Sequence, residues 1–269
     1  MDRSAIVAGY LDRVGVDDGP ATLGRLNTLI AGHVGTFAFA SVGPRLGDDL
    51  PLDEAALYDR IVVRRRGGYC FEQNGLFFAV LDQLGYRPRI VLARVIHEEG
   101  SHPPLTHRVS IVRIDGTDYL ADVGFGAQGP PQAVPLTPST GRSSHWIEEG
   151  EPGELHLLTV RDGAPVTLYR FELSRYGPSD CELGHFYSHR HPDAFFVNTL
   201  VASRILPGEI RTLRNGEVRV LRGGQSAADR ITDGPQLRAL LADLFDLDVT
   251  DDEARRLFDD LPQEPVDPT

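Results

Sequence analysis

Apolar residues recur at intervals of three and four through the first third of the chain. This spacing predicts helices over Ser4 to Val14 and Thr22 to Val34, with Ser4 and Thr22 as N-caps. Residues 43–53 (GPRLGDDLPLD) read as a loop, and Asp53 is placed to cap a helix covering Glu54 to Val63. Gly67-Gly68 breaks the chain before another helix, roughly Cys70 to Leu84. Its apolar residues lie nearly all round, so it belongs in the centre of a core.

From residue 89 the period changes to two. Arg89–Ile96, His107–Ile114 and Thr117–Val123 read as strands, and Asp115-Gly116 is a hairpin turn between the last two. Leu155–Arg161 and Thr167–Leu173 continue the pattern. Arg211–Arg214 and Glu217–Leu221 flank a second hairpin turn, Asn215-Gly216, and helices follow at about 235–247 and 251–261. Thr250 and Glu253 form a capping box before the second of these. Residues 262–269 read as a frayed tail. Helices and strands are segregated along the chain, which predicts an α+β fold rather than a doubly wound sheet.

The 269 residues, 41% of them hydrophobic, suffice for one large domain or two to three small ones. The apolar runs, such as Ile61–Val63 and Leu76–Leu81, are too short to span a bilayer, and the N-terminus lacks a signal-peptide core. A soluble, intracellular, cytoplasmic protein with no membrane partner is expected. A net charge of −12 repels phosphate backbones and argues against nucleic acid as a partner. The run Arg64-Arg65-Arg66 is a local exception, read as a solvated basic patch.

Only two cysteines occur, Cys70 and Cys181, so no disulfide framework is expected. Cys181 stands near His185, His189 and His191, but their spacing matches no tight ligand motif. No metal is expected, with Cys181 buried and the histidines on the surface.

Cys70 is different. In Arg66-Gly67-Gly68-Tyr69-Cys70-Phe71-Glu72-Gln73-Asn74-Gly75 the two glycines permit a tight turn, and the thiol falls in the first turn of a buried helix. Free N–H groups there favour a thiolate and can hold an oxyanion. The hairpin supplies partners. If Ile114 pairs with Thr117, then His107 faces Gly124 and Asp122 faces Val109. His107 and Asp122 become diagonal neighbours on one face, about 7–8 Å apart at the backbone. An imidazole and a carboxylate span that distance, and the pair can activate a thiol. Gly124 opposite His107 would leave open space for a substrate.

RRRGGYCFEQN, a histidine opening a strand, ADVGFG, LGYRPRIVLARV and HPDAFFVNTL together resemble the arylamine N-acetyltransferase family. The likeness runs from Tyr10 to about Leu261. It implies a cysteine-protease-like three-part architecture: a helical domain (1–86) with the nucleophile, an antiparallel β-barrel (87–185) with the histidine and aspartate, and an α/β lid (186–269). It places the triad at Cys70, His107 and Asp122. It implies acetyl-CoA as co-substrate, an arylamine or arylhydrazine as acceptor, and an acetyl-cysteine intermediate. It also implies that Gly124, Phe125, Gly126, Gln128 and Gly129 approach the pantetheine arm. Phe39, Tyr69, Phe71, Phe125 and Phe196 would line an aromatic acceptor pocket. A macrolactam-closing amide synthase and a cysteine hydrolase or transglutaminase-like enzyme share such a triad and stay as alternatives; a homo-oligomer is left open.

One departure stands out. Where the family has Pro-Phe-Glu-Asn, this chain reads Ala38-Phe39-Ala40-Ser41. The missing carboxylate would pair with the arginine at Arg66, a residue of structural support. Arg66 must therefore find a backbone carbonyl or a different acid.

Overall fold

The computed structural model describes residues 2–97, 100–137 and 143–262. Helices α1 (Arg3–Val14) and α2 (Leu23–Thr36) open the chain. Thr22 caps α2 by accepting from the Arg25 N–H, as its position predicts. Asp2, not Ser4, takes the N-cap position of α1. A two-residue strand β1 (Phe39–Ala40) follows, then the short helix α3 (Val42–Leu46), which occupies the start of the expected loop. Asp53 caps α4 (Glu54–Tyr58) through the Ala56 N–H. The helix then widens into a π-helical turn, Asp59–Val63, so the predicted span is helical throughout but changes its winding. Helix α5 (Cys70–Gln83) is the central one, and every residue from Cys70 to Phe77 is buried. Leu76, Phe77, Val80 and Leu81 pack with Leu26, Leu29 and Ile30 of α2.

Among the described residues seven strands come next: β2 (Arg89–Val95), β3 (His107–Ile114), β4 (Thr117–Ala121), β5 (Val134–Pro135), β6 (His145–Glu149), β7 (Glu154–Arg161) and β8 (Ala164–Glu172). They form one antiparallel sheet in the order β5-β4-β3-β2-β8-β7-β6, and its end strands β5 and β6 come into contact. The sheet is therefore a nearly closed barrel, filled by Val91, Val109, Ile111, Leu120, Leu157 and Tyr169. The β3–β4 hairpin has the predicted register, Ile114 opposite Thr117 and Ser110 opposite Ala121. Asp115 and Gly116 both have positive φ, as a tight turn of this kind requires. The ladder stops at Ser110 and Ala121, however. His107 pairs in register with Ala93 of β2 and not with Gly124.

The last part contains α6 (Pro178–Arg190), α7 (Phe195–Asn198), β9 (Val201–Leu206), β10 (Glu209–Arg214), β11 (Glu217–Arg222), β12 (Gln225–Arg230), α8 (Gly234–Phe245) and α9 (Asp251–Asp259). Its five-stranded sheet has the order β1-β9-β10-β11-β12. Strand β1 comes from the helical part, so the first and last parts share a sheet. A bridge between Phe39 and Gly68 brings the loop before Cys70 to that edge. Leu237, Leu241, Phe245 and Leu257 of α8 and α9 cover the sheet against Leu213 and Val218. The whole is an α+β architecture of helical, barrel and α/β parts.

Helix α6 has an inverted pattern. Leu183 and Phe186 are exposed, whereas Cys181, His185, Ser188 and His189 are buried. Hydrophobic periodicity reads such a helix poorly. No helix among the described residues is long and apolar enough to cross a membrane. The predicted tail, from residue 263 onward, lies outside the described residues.

Candidate active site

Cys70 is the first residue of α5 and is buried. Its thiol donates to the Thr106 carbonyl at 3.3 Å, directly beside His107. Burial pushes the thiol pKa up, and the Asp122 charge pushes it the same way. The Arg108 and Phe71 N–H groups pull against both. A lone thiolate is thus disfavoured here. A thiolate formed together with an imidazolium adds no net charge to the interior, and each partner is stabilised by the other.

His107 and Asp122 are both almost wholly buried, and His107 Nε2 meets Asp122 Oδ2 at 2.8 Å. That contact commits Nε2 to the carboxylate and leaves Nδ1 outside it. Three further donors hold the carboxylate. Asn74 Nδ2 and the Gly124 N–H donate to Oδ1, each at 2.8 Å, and the Tyr169 hydroxyl donates to Oδ2 at 2.9 Å. Burial alone would raise the Asp122 pKa, but the His107 charge and the hydrogen bonds from His107, Asn74 and Gly124 bring it below the ordinary value. Asn74 also donates to the Arg108 carbonyl at 2.6 Å and accepts from the Val123 N–H at 3.0 Å. One amide therefore ties α5, β3 and the end of β4 together.

The sequence reading missed the roles of Asn74 and Tyr169. Asn74 follows Cys70 by four residues, which puts it on the same helix face, so a signal existed. Tyr169 lies 47 residues beyond Asp122, with no local signal to link them.

Gly124 does not open a space for substrate. A Cβ there would lie 2.5 Å from Asn74 Nδ2 and 2.9 Å from Cys70 Cα. The glycine instead lets the loop after β4 pack directly on the start of α5. Beyond it, Gly126–Gln128 forms a 3-10 turn, and Gly129 donates its N–H back to the Gly126 carbonyl. The turn is anchored at Gln128, whose carbonyl is hydrogen-bonded to buried His145 at 2.9 Å. Phe125 stands edge-on to His107 with ring centroids 5.2 Å apart. Phe39 and Phe196 are half-buried and meet at 5.8 Å. Tyr69 and Phe71 present no surface at all: they form the packed layer beneath, so neither lines an open pocket.

The N-acetyltransferase family model matches residues 22–254. The chain is 34% identical over 260 residues to an arylamine N-acetyltransferase of Mycobacterium bovis, spanning 91% of this chain and 90% of that one. The chain belongs to the arylamine N-acetyltransferase family. It is accordingly an acyltransferase. The solved arylamine N-acetyltransferase from Salmonella typhimurium shares the fold with a TM-score of 0.89 at 30% identity, covering 95% of this chain and 98% of that one. The Mycobacterium marinum enzyme, solved in complex with CoA, matches with a TM-score of 0.89 at 29% identity over 95% of this chain and 99% of its own.

Within this acyltransferase Arg66 has both kinds of substitute partner. It bonds the Asp248 carbonyl and the carboxylate of Glu253. Nor is the arginine run a free basic patch: Arg64 pairs with Asp59, and Arg65 with Asp246 and Asp248. The histidines near Cys181 are engaged in the packing of α6. His185 is hydrogen-bonded to the Tyr69 hydroxyl and the Leu50 carbonyl, and His189 to the His185 carbonyl. Two of the three are buried, against the expectation of surface histidines, because α6 turns its polar face inward. Among the described residues no group of three or more His, Cys, Asp or Glu is arranged around a common metal position.

Proposed function

We propose that this protein acetylates arylamines or arylhydrazines, taking the acetyl group from acetyl-CoA through an acetyl-Cys70 intermediate. The observation that carries the reading is the placement of the Cys70 thiol against Thr106, with the adjacent His107 held by Asp122 at 2.8 Å. His107 Nδ1 takes the thiol proton as sulfur attacks the thioester carbonyl. The carbonyl–sulfur bond to CoA then breaks, and CoA leaves as a thiol with the proton from His107. In the second half the amine nitrogen attacks acetyl-Cys70, His107 accepts the amine proton, and Cys70 is released as the thiol. An arylamine is a weak nucleophile, so a stored thioester is a suitable acyl donor.

Phe125, edge-on to His107, and the half-buried Phe39 and Phe196, packed against the cluster that holds Cys70, are assigned to the acceptor side. The backbone from Gly124 to Gly129 is assigned to the pantetheine arm, a reading supported by the similarity to a relative solved with CoA. The division into 1–86, 87–185 and 186–269 belongs to the same proposal, with α6 straddling the second boundary.

Intact mass spectrometry after incubation with acetyl-CoA and no acceptor tests the reading. One acetyl group on the wild type, absent in Cys70→Ala and discharged by aniline-type amines or hydrazines, is expected. A folded protein that gains no acetyl group at Cys70 overturns the acetyl-CoA assignment. Discharge by water as fast as by amines would identify a hydrolase.

A further inference from the structure

Arg66 lies four residues before Cys70, and its side chain is only 11% exposed. A guanidinium so enclosed needs partners. They come from the far end of the chain. Nη1 donates to the Asp248 carbonyl and to Glu253 Oε2, both at 2.8 Å, and Nη2 donates to Glu253 Oε1 at 2.7 Å. The two bonds to Glu253 form the parallel, charge-assisted fork that fixes both groups in one orientation.

The linker between α8 and α9 is seated on the loop around this pair. The Asp248 N–H donates to the Arg65 carbonyl at 2.9 Å. A Cβ at Gly67, whose φ is +65°, would lie 2.8 Å from Leu247. It would also lie 3.0 Å from the Ala40 methyl carbon, where a longer side chain would crowd the loop. From Gly67 the chain reaches the nucleophile in short, fixed steps. The Gly68 carbonyl accepts from the Ala40 N–H at 2.9 Å and from Gln73 Nε2 at 3.2 Å, and Tyr69 is the N-cap of α5.

A row of alternating charges runs parallel to that path. Arg66 is 3.9 Å from Asp48, whose same oxygen is 3.3 Å from Arg60. Arg60 Nε is 2.8 Å from Glu72 Oε1, and Glu72 Oε2 accepts the Tyr69 N–H at 3.2 Å. Without Glu253, the nearest carboxylate for Arg66 is Asp48, and any move toward Arg66 draws it from Arg60.

We propose that Glu253 is a positioning residue for Cys70: the C-terminal helix delivers a carboxylate that clamps Arg66 and so fixes the loop carrying the nucleophile. Strand β1 carries alanine at position 40, and the fixing charge is brought instead by an element that closes on the loop only when the last part of the chain is folded. The inference rests on Cys70 as the acylated residue. Glu253 also accepts from the Thr250 N–H and hydroxyl, so clamp and helix cap must be separated.

The test measures single-turnover acetylation of Cys70 by acetyl-CoA in the full chain, with the labelled peptide identified and folding followed by thermal melts. Glu253→Ala is expected to lower the limiting rate about tenfold to a hundredfold, the scale of a displaced reacting group. The acetyl-CoA concentration at half-saturation should change far less. Glu253→Asp, which keeps the charge, should recover part of the rate. Thr250→Val removes the hydroxyl of the cap and should leave the rate close to wild type. An unchanged limiting rate in Glu253→Ala overturns the proposal, and so does an equal loss in Thr250→Val. If wild type takes no acetyl group, the acylation reading fails. The clamp is then judged by iodoacetamide alkylation of Cys70 against pH: a profile shared by wild type and Glu253→Ala overturns it, and a displaced profile supports it.

Discussion

Tyr169 donates its hydroxyl hydrogen to Asp122 at 2.9 Å from a side chain wholly inside the barrel. It shares Oδ2 with His107, and its ring lies 4.9 Å from the imidazole, so one residue both bonds the carboxylate and walls the histidine. Tyr169→Phe keeps the wall and deletes the bond. A hydrogen bond to a buried charge is worth about 1.5–3 kcal/mol, and a loss of that order in unfolding free energy is expected. Denaturant titration measures it, and acetylation of Cys70 should slow in parallel.

Asp122→Asn tests the orientation of His107. The amide preserves the shape but loses the charge and puts an N–H among four donors that now converge on carboxylate oxygens. The imidazole would then be held in the wrong tautomer, or not held. A fall of about 10³–10⁴-fold in the acylation rate is expected from the scale of that exchange in related triads. A rate within threefold of wild type, measured by stopped labelling, would remove Asp122 from the mechanism.

Gly124→Ala should separate the Asp122 loop from the start of α5. The added methyl meets Cys70 backbone atoms at 2.9 and 3.0 Å, and backbone cannot swing aside as a side-chain tip can. Overpacking of this kind costs about 1–3 kcal/mol. A lower Tm with a reduced rate of Cys70 labelling is expected; a variant that melts and labels like wild type would show that the two segments do not need this contact.

His33 gives a pH prediction. It is fully buried between Tyr10 and Gln73, and burial lowers its pKa to about 4, offset in part by the Gln73 bond. The unfolded chain therefore binds a proton that the folded protein refuses between about pH 6.5 and 4. Its contribution to stability is full above the unfolded value and is lost as pH falls through that window. A shift of this size corresponds to about 3 kcal/mol. Glu72 works the other way, since burial raises it to about 7 against the pull of Arg60, and the folded state gains a proton there as pH falls. The comparison is thus between variants. His33→Asn should be less stable than wild type at pH 7 and lose less on going to pH 4, as Tm against pH will show.

Much of the local structure was written in local residues. The Thr22 and Asp53 caps, the Thr250–Glu253 box and the Asp115-Gly116 turn all form as read, because each depends on groups within a few positions of one another. His107 and Asp122 do meet, at 2.8 Å, although both lie beyond the paired part of the hairpin, and the cysteine after two glycines fell at the helix start. What failed was the extension of the ladder past Ser110 and Ala121. There β4 leaves the sheet, and the contact of Gly124 with Cys70 replaces pairing with His107.

Other features depended on distant partners. Strand β12 is polar and exposed at a sheet edge, so no apolar alternation marks it, and α6 buries its polar face. Tyr169 reaches Asp122 only once the barrel is nearly closed, and Glu253 reaches Arg66 only once α9 has docked. The sequence by itself determined that Cys70 opens a buried helix, that His107 and Asp122 stand near one hairpin, and most of the elements that carry them, because those rest on short-range spacing and on residue chemistry. Only the tertiary structure decided which buried groups satisfy one another, since burial demands a partner but does not say from where along the chain it must come.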